Sequence, residues 1–240
     1  MYKRQELYKS GISTIKSGLE PVFGGNLEPI SPAQCYKFEE NSNLFLLPGH
    51  IQFSEFDTTY NIAETMTGSL NMLKNVPGAF RKLIVLTSEE YDIDYVLVDM
   101  SPSISATNAN ILMQSDYFIV PCAPDYFCYM AVESLVSIFP RWCNTYEKMK
   151  QNDVFKSASY KMKETPPIFL GTIQQRYRPR NGGPARAFAE WIKDINLLVC
   201  EKLMPVLKTQ NMAFMGKEYN ICDEPYNCLL YTSPSPRDCS

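Results

Sequence analysis

The sequence predicts an α/β protein: a mostly parallel sheet with helices on both faces. Three observations carry that reading. Tyr95–Val98, Tyr117–Pro121 and Pro167–Ile173 are short runs of strand length that are apolar almost throughout, the pattern of strands covered on both sides. Between the first two lies a helix-like stretch from Ala106 to Met113, so strand, loop, helix and strand follow one another as in a right-handed crossover. The first run ends in a carboxylate, Asp99, at the strand end where open α/β sheets bind their ligands.

Residues 6–38 have little periodicity and are rich in Gly and Pro, including Gly24-Gly25 and Pro29-x-x-Pro32. They read as a short helix near Leu7–Leu19 and then a long surface connection. Asn43-Leu-Phe-Leu-Leu-Pro48 is another candidate buried strand, and the loop after it holds His50, the one histidine of the chain, read as an ordinary loop residue. Asp57–Thr67 and Val76–Glu90 read as helices. In the second, Phe80, Leu83, Ile84 and Leu86 lie on or near one face, with Arg81, Lys82 and Glu89 away from it. Ser101-Pro102-Ser103 breaks the strand at Asp99 and offers hydroxyls to cap the next helix.

Met130–Tyr146 is amphipathic, and Pro140 predicts a kink or an end within it. Lys148–Thr165 is polar and lysine-rich and reads as a solvated excursion. Ala185–Leu203 has the cleanest helical period, through Phe188, Trp191, Ile192, Ile195, Leu198, Val199 and Leu203, with Pro184 at its first turn.

With 45% hydrophobic and 20% charged residues, the composition is that of a soluble globular domain, and 240 residues suffice for one α/β domain or two small ones. No apolar run approaches the ~18 residues of a membrane span. A formal charge of −3 argues against a chain-wide nucleic-acid binder but leaves room for a local basic patch. Arg176, Arg178, Arg180 and Arg186 supply one, beside Gly182-Gly183 and a helix start. It reads either as a solvated loop or as a phosphate site. The eight cysteines, at 35, 122, 128, 143, 200, 222, 228 and 239, include no C-x-x-C pair. They read as free thiols of a reducing cytoplasm, with no zinc site among them.

Residues 1–5 and 228–240 look like translated sequencing adapters, which leaves residues 6–227 as the native segment and an internal fragment. Those ends carry Lys3, Arg4, Arg237 and Asp238, a net of two positive charges, so the remainder is two units more negative than the whole chain.

The order of apolar strand, Asp99-Met-Ser-Pro-Ser103, helix, Asp116-Tyr117, apolar strand and Pro121-Cys-Ala-Pro-Asp-Tyr-Phe127 resembles the ParA branch of the deviant Walker-type ATPases. These are the partition and positioning ATPases of bacteria, plasmids and phages, with MinD as a relative. That family usually writes the first loop Asp-x-Pro-Pro-Ser and the second Pro-x-x-Pro-Glu-Tyr-Phe. Here Ser101 replaces a proline and Asp125 a glutamate.

The resemblance implies a P-loop NTPase-like, three-layer α/β/α fold for residues 6–227 as a single, incomplete domain, with ATP and Mg²⁺ as cofactors. It implies that Asp99 holds Mg²⁺ directly or through water, and that Ser101 and Pro102 form the segment that senses the γ-phosphate. Pro124 and Asp125 would line the nucleotide pocket, although Asp125 reads equally well as a helix cap. Leu170-Gly171-x-x-x-Gln175 resembles the step Leu-Gly-x-x-x-Asn, whose amide contacts adenine, and this puts that role on Gln175.

The implied activity is ATP hydrolysis by a cytoplasmic, at times nucleoid-associated, switch without a stable membrane span. It would dimerise on ATP, bind DNA without sequence preference and answer to a ParB-like stimulating partner. The alternatives are a non-hydrolysing interaction module of the same fold and a MinD-like membrane-cycling ATPase. The 240 residues contain no G-x-x-x-x-G-K-[ST]. In the family that loop lies on the first strand, so the expectation is a P-loop encoded upstream and weak or absent ATP binding by these residues alone.

Overall fold

A computed structural model of the chain describes residues 12–24, 28–65, 73–176, 179–180, 183–184, 186–215 and 227–229. The chain divides into two compact units, one of Met1–Gln114 with Thr145–Glu164 and one of Ser115–Asn144 with Thr165–Ser240.

In the first unit, helix α1 (Ile15–Phe23) begins where a capping box satisfies its free amides. Thr14 Oγ1 accepts from the Ser17 N–H at 3.1 Å, and Ser17 Oγ accepts from the Thr14 N–H at 2.8 Å. That box sets the helix start downstream of the expected Leu7–Leu19; residues 1–11 lie outside the described residues. Strands β1 (Tyr36–Lys37) and β2 (Phe45–Leu46) pair antiparallel, Tyr36 opposite Leu46. The run at 43–48 is therefore a half-buried hairpin arm and not a buried parallel strand. Asn41 reverses the chain: its side-chain oxygen accepts from the Asn43 N–H and its carbonyl from the Leu44 N–H, both at 3.1 Å.

A 3₁₀ turn (Ile51–Glu55) follows, started by His50, whose Nδ1 accepts from the Gln52 N–H at 3.2 Å. Helices α2 (Phe56–Thr65), α3 (Val76–Tyr91) and α4 (Ala106–Gln114) complete the run, close to the boundaries that periodicity predicts. Helix α3 ends at Asp92, whose φ of 53° places it in the left-handed region that stops a helix. Leu19, Phe56, Tyr60, Phe80, Leu83 and Ile111 form the core of this unit, with the Phe23 and Phe56 rings stacked at 4.0 Å.

The lysine-rich stretch is not a solvated excursion. Met149 and Phe155, the latter on the short helix α6 (Asp153–Lys156), are core residues, and the Tyr160 hydroxyl accepts from the Ile30 N–H at 2.9 Å. The lysines stand between apolar residues that turn inward, so composition alone misreads the segment. Gly78 lets it come close: a Cβ there would lie 2.6 Å from the Tyr160 carbonyl carbon.

In the second unit, β3 (Tyr117–Cys122) and β4 (Ile168–Gln174) run parallel from Tyr117 opposite Ile168 to Cys122 opposite Gln174, with an irregularity between Phe118 and Ile119. Strand β7 (Asn227–Leu229) lies parallel to β4 on its other edge, across the expected boundary at residue 227. Strands β5 (Pro179–Arg180) and β6 (Gly183–Pro184) make a two-residue antiparallel pair. Helix α7 (Arg186–Leu198) runs through a π-helical turn (Val199–Leu203) into α8 (Met204–Thr209), as the period over 185–203 predicts.

Helix α5 (Tyr126–Gln151) starts earlier than expected and passes through Pro140 without ending. Proline removes one backbone bond, but Ile138, Phe139 and Cys143 on the flanking turns are buried, and Phe139 packs edge-on against Phe118 at 5.4 Å.

The largest correction concerns Tyr95–Val98. Among the described residues it has no ladder partner, so the parallel sheet seen here is β3, β4 and β7. The run is largely open: Tyr95, Val96 and Leu97 are 89%, 43% and 95% exposed, while Val98 and Met100 at its end pack on the core of the first unit. A strand buries both faces only when a layer covers each. Here one face is covered.

Candidate functional site

The loop after Val98 is short and strongly held. The Ser103 N–H donates to the Ser101 carbonyl at 2.8 Å, a tight turn around Pro102. The Ser101 and Ser103 hydroxyls face each other at 3.0 Å. Asn108, buried on α4, clamps this turn: its Nδ2 donates to the carbonyls of Ser101 (2.8 Å) and Ser103 (2.7 Å). Neither hydroxyl caps α4. Ser105 does, its Oγ accepting from the Asn108 N–H at 3.1 Å. Asp57 on α2 adds a cap from outside the helix, its Oδ1 accepting from the Thr107 N–H (2.9 Å) and hydroxyl (3.0 Å).

Helix α4 is itself immobilised, since every residue from Ala106 to Gln114 is buried. Its polar side chains reach backbone: Gln114 Nε2 and Asn110 Nδ2 both donate to the Pro77 carbonyl, at 2.6 and 3.1 Å. Asp99, Ser101 and Pro102 are thus brought together as an exposed carboxylate and a fixed polar turn on a rigid support.

Pro124, Asp125 and Gln175 come together in the second unit, at the C-terminal ends of β3 and β4. Pro124 is buried. Asp125 is the N-cap of α5: its Oδ1 accepts from the Cys128 N–H at 2.8 Å and its carbonyl from the Tyr129 N–H at 3.1 Å. Of the two readings the sequence allowed for Asp125, the cap is therefore present. The Gln175 N–H donates to the Cys122 carbonyl at 2.9 Å, one step beyond the end of β4. Its neighbour Gln174 is completely buried, and neither atom of its amide has a partner. An orphaned buried amide at a strand end suits a hydrogen-bonding ligand.

Of the four arginines, the side chains of Arg176 and Arg186 are the ones described. Arg186 is engaged by Glu190 at 3.3 Å, Arg176 is exposed with φ 62°, Arg180 lies in β5, and Arg178 lies outside the described residues. Among the described residues no three His, Cys, Asp or Glu side chains converge as metal ligands. The donors near Asp99 are one carboxylate and two hydroxyls, all hard oxygens. Such a set fits Mg²⁺, which keeps most of its waters and takes its other ligands from phosphate.

A family profile described as AAA domain matches residues 13–152, more than half of the chain. The chain belongs to this family, the ParA/MinD-like P-loop ATPases. The matched region includes the Asp99 turn and the Pro124–Asp125 loop and stops short of Gln175. An uncharacterized protein of Methanocaldococcus jannaschii, MJECL24, is 28% identical over 115 residues, which are 48% of this AAA-domain chain and 37% of that protein. The crystal structure of protein DIP2308 from Corynebacterium diphtheriae superposes with a TM-score of 0.54 at 18% identity, over 76% of this chain and 64% of that one. That likeness is one of fold. The chain spans less than two thirds of either relative.

Asn108, Asp57 and Ser105 are what sequence reasoning missed. A serine three residues before an amide, just after a proline turn, is the cap signal that could have found Ser105. Asp57 is distant in sequence and leaves no local signal.

Proposed function

We propose that this AAA-domain protein is a ParA-type switch, whose complete form binds and hydrolyses ATP with Mg²⁺ and alternates between an ATP-bound dimer and a monomer to partition or position DNA cargo. The observation that carries the reading is the Asp99 turn: an exposed acid followed by a serine-proline turn that a buried Asn108 ties to a fully buried helix. When bound, Mg·ATP would supply the phosphoryl group and a cation that offsets its charge. Asp99 would hold that cation or one of its waters, and Ser101 and Pro102, tied to α4 through Asn108, would line the γ-phosphate side of the site.

Pro124 and Asp125 shape the β3–α5 edge of the nucleotide pocket, and Gln175, with the unpartnered Gln174 beside it, serves the base. The fold of the whole domain is the three-layer α/β/α arrangement that the family resemblance implies. DNA contacts come from exposed cations such as Arg176, and a ParB-like protein stimulates turnover.

Binding of a fluorescent ATP analogue by the complete gene product, with and without Mg²⁺, tests this. Saturable, Mg²⁺-dependent binding that promotes dimerisation supports the switch. Absence of nucleotide binding would leave the non-hydrolysing interaction module of the same fold.

A further inference from the structure

Helix α5 opens on an apolar stripe. Tyr126, Tyr129 and Met130 stand three and four residues apart on one face, and Glu133 continues that face one turn later. Trp191 on α7 meets the stripe within the second unit. Its ring centre lies 5.9 Å from that of Tyr126 and 6.3 Å from that of Tyr129, at interplanar angles of 63° and 57°. Phe127 stands beside Tyr126, with ring centres 6.1 Å apart. These contacts hold the rings together without burying them. Tyr126 is 54% exposed, Phe127 82% and Met130 45%, so large apolar side chains are gathered on one surface and left open to solvent.

The charge around this surface is negative. Asp194 lies three residues beyond Trp191 on the same face of α7, and Asp125 directly precedes Tyr126. Both are exposed, and neither has an ion-pair partner among the described residues. The nearby cations are turned elsewhere or already held. Lys202 Nζ sits 2.8 Å from Glu133 Oε1, Arg186 Nε sits 3.3 Å from Glu190 Oε1, and Lys193, two residues from Trp191, does not share its face. Glu133 with Lys202 shows that a cation seats at the end of the stripe.

We propose that this surface docks a basic peptide segment of a partner protein, with an arginine laid on the open rings of Tyr126 and Phe127 and its charge answered by Asp194. The face of an aromatic ring is its negative side and attracts a cation, and a planar guanidinium also stacks on it. The carboxylates decide among the other occupants. Nucleic-acid bases stack on aromatic rings too, but here they would bring phosphates against Asp125 and Asp194. A second copy of the chain meeting the same face would set carboxylates against carboxylates. A basic peptide satisfies both the rings and the charge. This inference stands on the α5–α7 surface and holds whether or not the protein binds nucleotide.

The test is calorimetric titration of the 240-residue chain with hexa-arginine, with hexa-citrulline as the uncharged isostere and hexathymidylate as the nucleic-acid probe. Expected is saturable binding of the arginine peptide that weakens as salt is raised, with much weaker binding of the other two. Tyr126→Leu should raise the Kd for hexa-arginine roughly two- to fivefold, the scale of one exposed cation–π contact. Asp194→Asn should raise it roughly twofold. Glu39→Gln, which removes an exposed acid of the first unit, should leave it unchanged and so separates this surface from general attraction to an acidic chain. In the unmutated chain, no binding of hexa-arginine, equal binding of hexa-citrulline or tighter binding of hexathymidylate would overturn the proposal. So would an unchanged Kd in folded Tyr126→Leu and Asp194→Asn proteins.

Discussion

Replacing Asn108 by leucine removes the clamp on the Asp99 turn while keeping the volume of the side chain. Its Nδ2 lies near four acceptors but has two hydrogens, and the carbonyls of Ser101 and Ser103, at 2.8 and 2.7 Å, are the best placed. Two such bonds at ~0.5–1.5 kcal/mol each would give up to ~3 kcal/mol. Ser101 and Ser103 are exposed, so their freed carbonyls regain water, and the expected loss is about 1–2 kcal/mol. With m-values of ~1–3 kcal/mol/M in urea, the midpoint should fall by roughly 0.5–1 M.

A second readout is local. The Ser103 amide, held by the Ser101 carbonyl, should exchange with deuterium faster in the variant. Ser101→Ala, which alters only an exposed hydroxyl, should stay within about 0.5 kcal/mol of wild type. An Asn108→Leu protein with the wild-type urea midpoint and an equally protected Ser103 amide would refute the clamp, and with it the link from the turn to α4.

Substitutions at three further positions probe the support. Asp57→Ala deletes the cap on Thr107 and should cost about 1–2 kcal/mol in thermal unfolding, with Asp57→Asn recovering most of it. Gly78→Ala drives a methyl group into the Tyr160 carbonyl, and overpacking of this kind should lower stability by about 1–3 kcal/mol in urea titration. Tyr60→Phe removes a buried hydroxyl that has no partner, so it should be neutral or raise stability by up to ~1 kcal/mol.

What the sequence makes legible is local. The helices at 56–65, 76–91 and 186–198 follow a 3.6-residue apolar period, and the parallel pair at 117–122 and 168–174 follows from two mostly apolar runs, although Tyr117, Ile119 and Pro121 leave one face of the first exposed rather than covered. The turn at Asp99 and the cap at Asp125 are likewise written in adjacent residues. The misreadings depend on what lies opposite. Tyr95–Val98 is apolar on both faces, but whether both are covered is decided by other elements, and here one face stands open. Asn43–Pro48 has strand composition, yet the turn at Asn41 makes it half of a hairpin. Lys148–Thr165 counts as polar by composition, while Met149 and Phe155 anchor it in the core. Asp57, fifty residues from the helix it caps, is beyond any local pattern.

The most direct test of the ATPase switch is phosphate release by the complete gene product carrying Asp99 or asparagine in its place. The account predicts Mg²⁺-dependent ATP hydrolysis by the first and a loss on the order of 100-fold in the second, the scale of removing one preorganised electrostatic contact from a transition state. The thermal midpoint of the nucleotide-free protein should be unchanged, since Asp99 is exposed. An Asp99→Asn protein that turns over ATP at the wild-type rate would contradict the assignment of the metal-side acid.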